Sequence, residues 1–289
     1  MTTETSKARA ALQLWKAEHN PVSLLLRAAT DAVSAPFYDA YETWLTAQAA
    51  TWKLPRHIGV IMDGNRRFAR GMGASNVALG HKIGADKLRE VLDWCFELEI
   101  PVVTVWGFSL DNFKRDSAEV QQLFELFEEK TLEMVDSPDL HDNHVRVRFI
   151  GRRDLLPDSL RAAIAKVEEA TAHYERFVLN IALAYGGREE LSDAFRDYLT
   201  HQRDAGRDLG EAIERFSAKA LERYLYTSGL PEPDLIIRTS GEVRMSGFLM
   251  WQSAYSEYYF CDTNWPAFRK IDFLRAIRAY EQRQRRFGG

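Results

Sequence analysis

Apolar positions follow two recurring patterns along this chain. Short runs at Ile58–Met62, Val102–Phe108, Phe177–Leu183 and Leu235–Ile237 have the length of strands covered on both faces. Val145–Ile150 alternates apolar and polar positions as a further strand, and Glu257–Phe260 reads as a short one. Between these runs apolar residues recur at helical spacing. Leu88, Val91, Leu92 and Cys95 stand at i, i+3, i+4 and i+7, with Gly80-His81-Lys82-Ile83-Gly84 placed before that helix. Val120, Leu123, Phe124 and Phe127 mark a second helical face, and further helices are predicted over 158–176, 189–203, 208–226 and from Asp272 onward. The alternation predicts an α/β fold: a single domain with a central, mostly parallel sheet of about six strands flanked by helices. Residues 1–54 differ. They are rich in Ala, Leu and charge and are broken at Pro21 and Pro36, which predicts a helical N-terminal extension of two or three helices. Its Leu12, Trp15, Phe37, Tyr38, Tyr41 and Trp44 are expected to pack on the main body as a cap or dimer arm, and Lys53-Leu54-Pro55 marks the boundary.

Polar chemistry collects just after the strands. The first apolar run stops at Asp63, followed at once by Gly64, Asn65, Arg66, Arg67, Phe68, Ala69 and Arg70. A carboxylate at a strand's carboxyl end lies where open α/β sheets place ligands. One carboxylate able to hold a divalent cation, beside backbone N–H groups and guanidiniums, suits a metal-bound phosphate or diphosphate. A surface turn with solvated arginines fits the same local residues equally well. Two more post-strand segments carry positive charge with glycine or serine, Tyr185–Arg188 and Arg238–Ser246. Arg67, Arg188, Arg238 and Arg244 could therefore grip phosphate oxygens in pairs. No Walker-type or dinucleotide phosphate loop is present, nor a nucleophile elbow or an aspartate-rich box.

Composition narrows the field. The chain has 289 residues, 46% of them hydrophobic, enough for a sizeable core. A net charge of −4 argues against nucleic-acid binding, so an anionic ligand must be met by local arginines. The two cysteines, Cys95 and Cys261, lie in apolar segments and read as buried thiols of a reducing compartment. With no signal-peptide core and no run of membrane-span length, the chain is expected to be cytoplasmic.

Several motifs in collinear order carry a resemblance. Met62-Asp-Gly-Asn-Arg-Arg-Phe-Ala69, Gly80-His81, Phe108-Ser-x-Asp-Asn112, Asn180-Ile with Tyr185-Gly-Gly-Arg188, Asp234-Leu-Ile-Ile-Arg-Thr-Ser-Gly-Glu-x-Arg-x-Ser246, Phe248-x-x-Trp-Gln252, Ser256-Glu257 and Trp265-Pro266 resemble the cis-prenyltransferases, the undecaprenyl and Z-farnesyl diphosphate synthase family. The resemblance covers residues 54–289 and makes 55–289 a catalytic domain. It implies condensation of isopentenyl diphosphate with an allylic diphosphate, with Mg2+ as cofactor, in a homodimer. It also leaves open a peripheral membrane contact for long products. Residue by residue, it implies catalytic roles for Asp63, Ser109 and Asn112, and magnesium binding by Asp63 and Glu257. It assigns the allylic diphosphate to Gly64, Asn65, Arg66 and Arg67, places His81 near the diphosphate, assigns isopentenyl diphosphate to Arg238, Arg244 and Ser246, and gives Phe68 and Arg115 substrate contacts without a side. Arg286 and Gly288 match a tail that reaches a partner's site.

The departures concern product choice. Arg66 and Phe68 replace a small residue and a tryptophan, Asp111 and Phe113 a glutamate and a tryptophan, and Ala184 and Gly247 two asparagines. Arg66 and the altered stretch 71–79 look like the short-chain branch, which tends to carry a bulky residue where this chain has Gly107. Product length and the choice between regular and irregular, lavandulyl-type coupling stay open at this point. So does a non-catalytic partner subunit, although such subunits typically lose the aspartate and arginines kept here. The growing chain needs an apolar tunnel, for which Val102–Phe108 and the face of Val120, Leu123, Phe124 and Phe127 are the candidates.

Overall fold

A computed structural model describes residue 38 and residues 40–73 and 77–284. The chain divides into two compact units after Thr51. In the first, residues 40–49 are helical and Tyr41 stacks on Trp44 with ring centroids 5.6 Å apart. Leu12, Trp15 and Phe37 lie outside the described residues.

The second unit is built on six parallel strands in the order β3-β4-β2-β1-β5-β6. They are β1 (His57–Ile61), β2 (Val102–Trp106), β3 (Val145–Ile150), β4 (Phe177–Ala182), β5 (Leu235–Arg238) and β6 (Glu257–Phe260). Nine α-helices are described in this unit: α1 (Asn65–Gly71), α2 (Ala78–Glu97), α3 (Ser117–Val135), α4 (Pro138–Asp142), α5 (Asp158–Thr171), α6 (Gly187–Asp204), α7 (Leu209–Arg215), α8 (Ala218–Glu222) and α9 (Lys270–Gln284). The continuous apolar runs form the inner strands because both of their faces are covered: β1 and β5 are buried along their whole length. Val60, Val103, Val105, Leu179 and Ile237 pack into the larger core. Ile61, Tyr185, Ile236, Phe248 and Leu249 form a smaller cluster with the half-buried Trp106.

The register brings the strand ends into line. Ile61 lies opposite Trp106 on one side and Arg238 on the other, and Trp106 lies opposite Ala182. The charged segments after β1 and β5 therefore emerge side by side, and the one after β4 emerges at the same edge of the sheet with β2 between.

Helix boundaries depart from the sequence reading in instructive ways. The Gly80–Gly84 segment belongs to α2, which opens at Ala78. A Cβ at Gly80 would collide with the Asn65 carbonyl, and one at Gly84 with the Asn65 side chain. The two glycines, one turn apart, are the groove that lets α2 lie against α1. The helix expected over 208–226 is two helices, because Ser217 accepts the Ala220 N–H at 3.2 Å and starts a new one. Helix α5 stops at Thr171, short of residue 176.

Candidate active site

Asp63 leaves the end of β1 in a tight turn whose N–H donates to the Ile61 carbonyl at 2.9 Å. Gly64 follows with φ of 106°, and a Cβ there would strike Asn264, so the turn requires glycine. The Asp63 carboxylate accepts the Gly64 N–H at 2.8 Å and an Arg238 N–H at 2.9 Å. Its main-chain carbonyl accepts the Thr239 hydroxyl and the Trp265 N–H. The aspartate is thus held from three segments while its side chain stays 36% exposed to the cavity.

Arg238 is the internal tie of the site. Its side chain is only 5% exposed. Besides Asp63 it donates to the Ser246 hydroxyl at 2.8 Å and to the Arg244 carbonyl, which ties the 244–246 loop to the Asp63 turn. Its Nε is buried with no hydrogen-bond partner. Arg67 donates to the Ser240 carbonyl at 2.7 Å and pairs with Glu242, which also pairs with Arg244. One carboxylate therefore spans the two arginines that the sequence places in different subsites.

Across the mouth, Arg115, His81 and Arg66 surround Glu119. Arg115 donates to its Oε1 at 3.1 Å, and His81 Nε2 and Arg66 Nε lie 3.5 Å from the same oxygen. Burial, reinforced by Arg115, lowers the His81 pKa below its ordinary value. Asn112 accepts the Ser109 N–H at 3.0 Å, so the two rim residues form one short turn over Leu110–Lys114.

These side chains line a cavity of about 1300 Å³. Asp63, Gly64, Asn65, Arg66, Arg67, His81, Ser109, Asn112, Arg115, Arg188, Arg238, Arg244 and Ser246 all contribute to its wall. From there the space continues between α2, α3 and the sheet, along Leu88, Leu92, Phe96, Leu123, Phe127, Phe149 and Ile181. Where α2 and α3 meet solvent, Lys130 bridges to Asp86 at 3.0 Å. A polar mouth leading into an apolar channel suits an amphiphile with an anionic head and a hydrocarbon tail.

Comparison with known proteins agrees with this geometry. Residues 61–288 match the family model described as "Putative undecaprenyl diphosphate synthase". An isoprenyl transferase of Deinococcus radiodurans is 51% identical over 249 residues, which is 86% of this chain and 90% of that protein. The chain belongs to the cis-prenyltransferase family. A tritrans,polycis-undecaprenyl-diphosphate synthase (geranylgeranyl-diphosphate specific) of Pyrococcus horikoshii is 48% identical over 256 residues, 88% of this chain and 94% of that one. Among solved structures, lavandulyl diphosphate synthase from Lavandula x intermedia, in complex with dimethylallyl diphosphate, superposes with a TM-score of 0.72. Its identity to this cis-prenyltransferase is 30%, over 79% of this chain and 95% of that one.

Not every residue singled out in the sequence reaches the cavity. Phe68 is half-buried on α1 and lies outside the lining, because a residue two positions beyond Arg66 on a helix turns away from it. Glu257 opens β6 opposite Leu235, three register steps below Arg238, and pairs with Arg283 at 2.7 Å. Within one chain, then, Asp63 and Glu257 sit toward opposite ends of the parallel strands. Arg286 and Gly288 lie outside the described residues. Val120 and Phe124 pack against the core and not along the channel, whereas α2, not among the tunnel candidates, supplies Leu88, Leu92 and Phe96 to the wall.

Glu119 and Glu190 went unnoticed in the sequence, and Glu242 entered only as part of a motif, without a role. Glu190 is 1% exposed and accepts from the Tyr185 hydroxyl at 2.5 Å, the Gln252 amide at 2.8 Å and the Tyr226 N–H at 2.9 Å. Burial raises its pKa. Glu119 sits in the first turn of a helix capped by Asp116, where a glutamate reads as helix chemistry. Only the fold shows its cationic neighbours.

Proposed function

We propose that this cis-prenyltransferase condenses isopentenyl diphosphate with an allylic diphosphate (dimethylallyl, geranyl or farnesyl) to form a Z-configured prenyl diphosphate, releasing pyrophosphate. The observation that carries this reading is the continuity of one cavity. It runs from two adjoining clusters of guanidiniums, tied by Asp63–Arg238, into an apolar channel.

In this reading Gly64, Asn65, Arg66 and Arg67 hold the allylic diphosphate, while Arg238, Arg244 and Ser246 hold isopentenyl diphosphate. Charge builds on the leaving oxygens as the allylic C–O bond breaks, and fixed guanidiniums stabilise that charge without reorganising. The double bond of isopentenyl diphosphate supplies the electron pair for the new C–C bond, and a proton then departs to leave a new double bond. The released pyrophosphate is a candidate acceptor for that proton, and Ser109 and Asn112 bound the same space.

Magnesium suits this donor set in one way only. Among the described residues no three His, Cys, Asp or Glu side chains come close enough to cage a metal ion. A hard cation that keeps waters and takes one carboxylate plus phosphate oxygens would fit at Asp63. When bound, it would neutralise part of the diphosphate charge. The same reading takes the chain to be a cytoplasmic homodimer whose Arg286 and Gly288 reach the partner's site, in peripheral membrane contact when products are long. No helix among the described residues is long and apolar enough to cross a membrane.

The test is incubation of purified protein with each allylic diphosphate and labelled isopentenyl diphosphate, followed by chromatography and assignment of double-bond geometry. Magnesium-dependent Z products are expected, and none would overturn the reading. The likeness to lavandulyl diphosphate synthase supports a second outcome, a branched product of irregular coupling, which the same chromatogram separates.

A further inference from the structure

Glu119 presents a single oxygen to two guanidiniums and an imidazole from three elements. Arg115 approaches Oε1 from the loop before α3, His81 from α2 and Arg66 from α1. Only the Arg115 contact is a hydrogen bond. Arg66 Nε and His81 Nε2 are buried and have no hydrogen-bond partner. Arg66 is held near Glu119 by charge and His81 by its place on the helix, neither by satisfied geometry, an arrangement that leaves both nitrogens for another anion. All three line the cavity, whereas Glu119, its side chain 11% exposed, stands behind the wall.

We propose that Glu119 is an internal counter-anion of the allylic-diphosphate subsite. It keeps Arg66, His81 and Arg115 converged when no diphosphate is bound. It also repels the bound diphosphate, which keeps the affinity low enough for pyrophosphate to leave. This rests on the prenyltransferase reading of the site. Glu119 is a positioning residue: it acts through the cations in front of it.

Replacing a carboxylate by a neutral group removes one like-charge repulsion from a multiply charged ligand a few ångströms away. Titration of the full-length protein with inorganic pyrophosphate in magnesium buffer should show Glu119→Gln binding about tenfold more tightly than wild type, the scale of one charge contact in a partly solvated site. In turnover the allylic KM and kcat should fall together as release slows, whereas simple damage to the site would raise KM. Glu119→Asp, which keeps the charge, should bind pyrophosphate as wild type does. Glu119→Ala is a second uncharged variant, and tightening in either neutral variant meets the expectation. Unchanged or weaker pyrophosphate binding in both would overturn the proposal, as would loss of the fold in both. Tightening in Glu119→Asp equal to that in Glu119→Gln would also overturn it, since geometry and not charge would then be responsible. A wild-type protein that binds pyrophosphate but forms no prenyl product would defeat the prenyltransferase reading instead, so the two failures are distinct.

Discussion

Asp63 has both carboxylate oxygens engaged, one by its neighbour's N–H and one by the buried Arg238. Removing it would do more than delete a ligand for a cation: Arg238 would be left as a buried guanidinium without its anion. Asp63→Ala should therefore lower prenyl transfer by at least about 100-fold, the scale of losing one fixed electrostatic group, in the labelled isopentenyl diphosphate assay. Asp63→Asn keeps a hydrogen-bond acceptor for Arg238 and should stay folded while remaining nearly inactive. His57 shows residue-scale chemistry of another kind. It is fully buried, and its Nδ1 donates to the Pro231 carbonyl at 2.7 Å, so its Nε2 accepts from the Thr104 hydroxyl at 2.8 Å. Thr104 in turn accepts from the Asn180 amide at 2.9 Å. Burial lowers the His57 pKa to about 4, against 6.5 unfolded. The unfolded chain thus binds a proton between those values that the native chain refuses, so stability falls as pH drops below about 6.5. Its share approaches roughly 3 kcal/mol at the acid limit. Urea unfolding at pH 7 and pH 4.5 should show the loss, and His57→Gln should flatten it.

At the scale of elements, the relation between α1 and α2 decides where the allylic cluster sits. Gly80 and Gly84 give α2 a bare strip against Asn65, and Trp265 closes the corner by donating its indole N–H to the Gly84 carbonyl at 2.7 Å. Gly80→Ala places a methyl against main chain, which cannot swing aside. The expected cost is about 1–3 kcal/mol, read as a lower melting temperature. The allylic KM should rise more than the isopentenyl KM, because α1 carries Arg66 and Arg67 while Arg238 stands on β5. Existence and type of the long elements were legible in sequence, because an unbroken apolar run or a helical stripe reports burial directly. The start of α2 was not. Two glycines and a histidine look like a turn until the partner that needs their bare surface is in place. Which face of α3 meets the channel was equally hidden: all four residues of one apolar stripe pack on the core, but only Leu123 and Phe127 also line the channel.

For the whole molecule, the cavity is the property that no single element owns. Its volume of about 1300 Å³ exceeds that of ordinary small-ligand pockets, about 300–1,000 Å³, which accords with a long hydrocarbon tail. Gly107 lies on its wall at the end of β2, and a Cβ there would meet Leu183 at 3.0 Å and Ile181 at 3.9 Å. Gly107→Leu should crowd that side of the channel and shift products toward shorter chains on reversed-phase chromatography; an unchanged distribution would remove Gly107 from the length-setting wall. The sequence by itself determined the α/β class, the six strands, the Asp63 turn and the arginine-bearing segments. Each of these is written locally, in apolar period or in residues placed just after an apolar run. The tertiary structure alone decided which charges meet. Asp63 and Arg238 stand 175 positions apart yet share a hydrogen bond, because parallel register sets Ile61 beside Arg238. Asp63 and Glu257, both of which the resemblance assigns to magnesium, are held apart by the same register. Glu119 gathers two guanidiniums and an imidazole because α1, α2 and α3 converge there. Electrostatic partnership depends on distance in space, and separation along the chain carries almost no information about it.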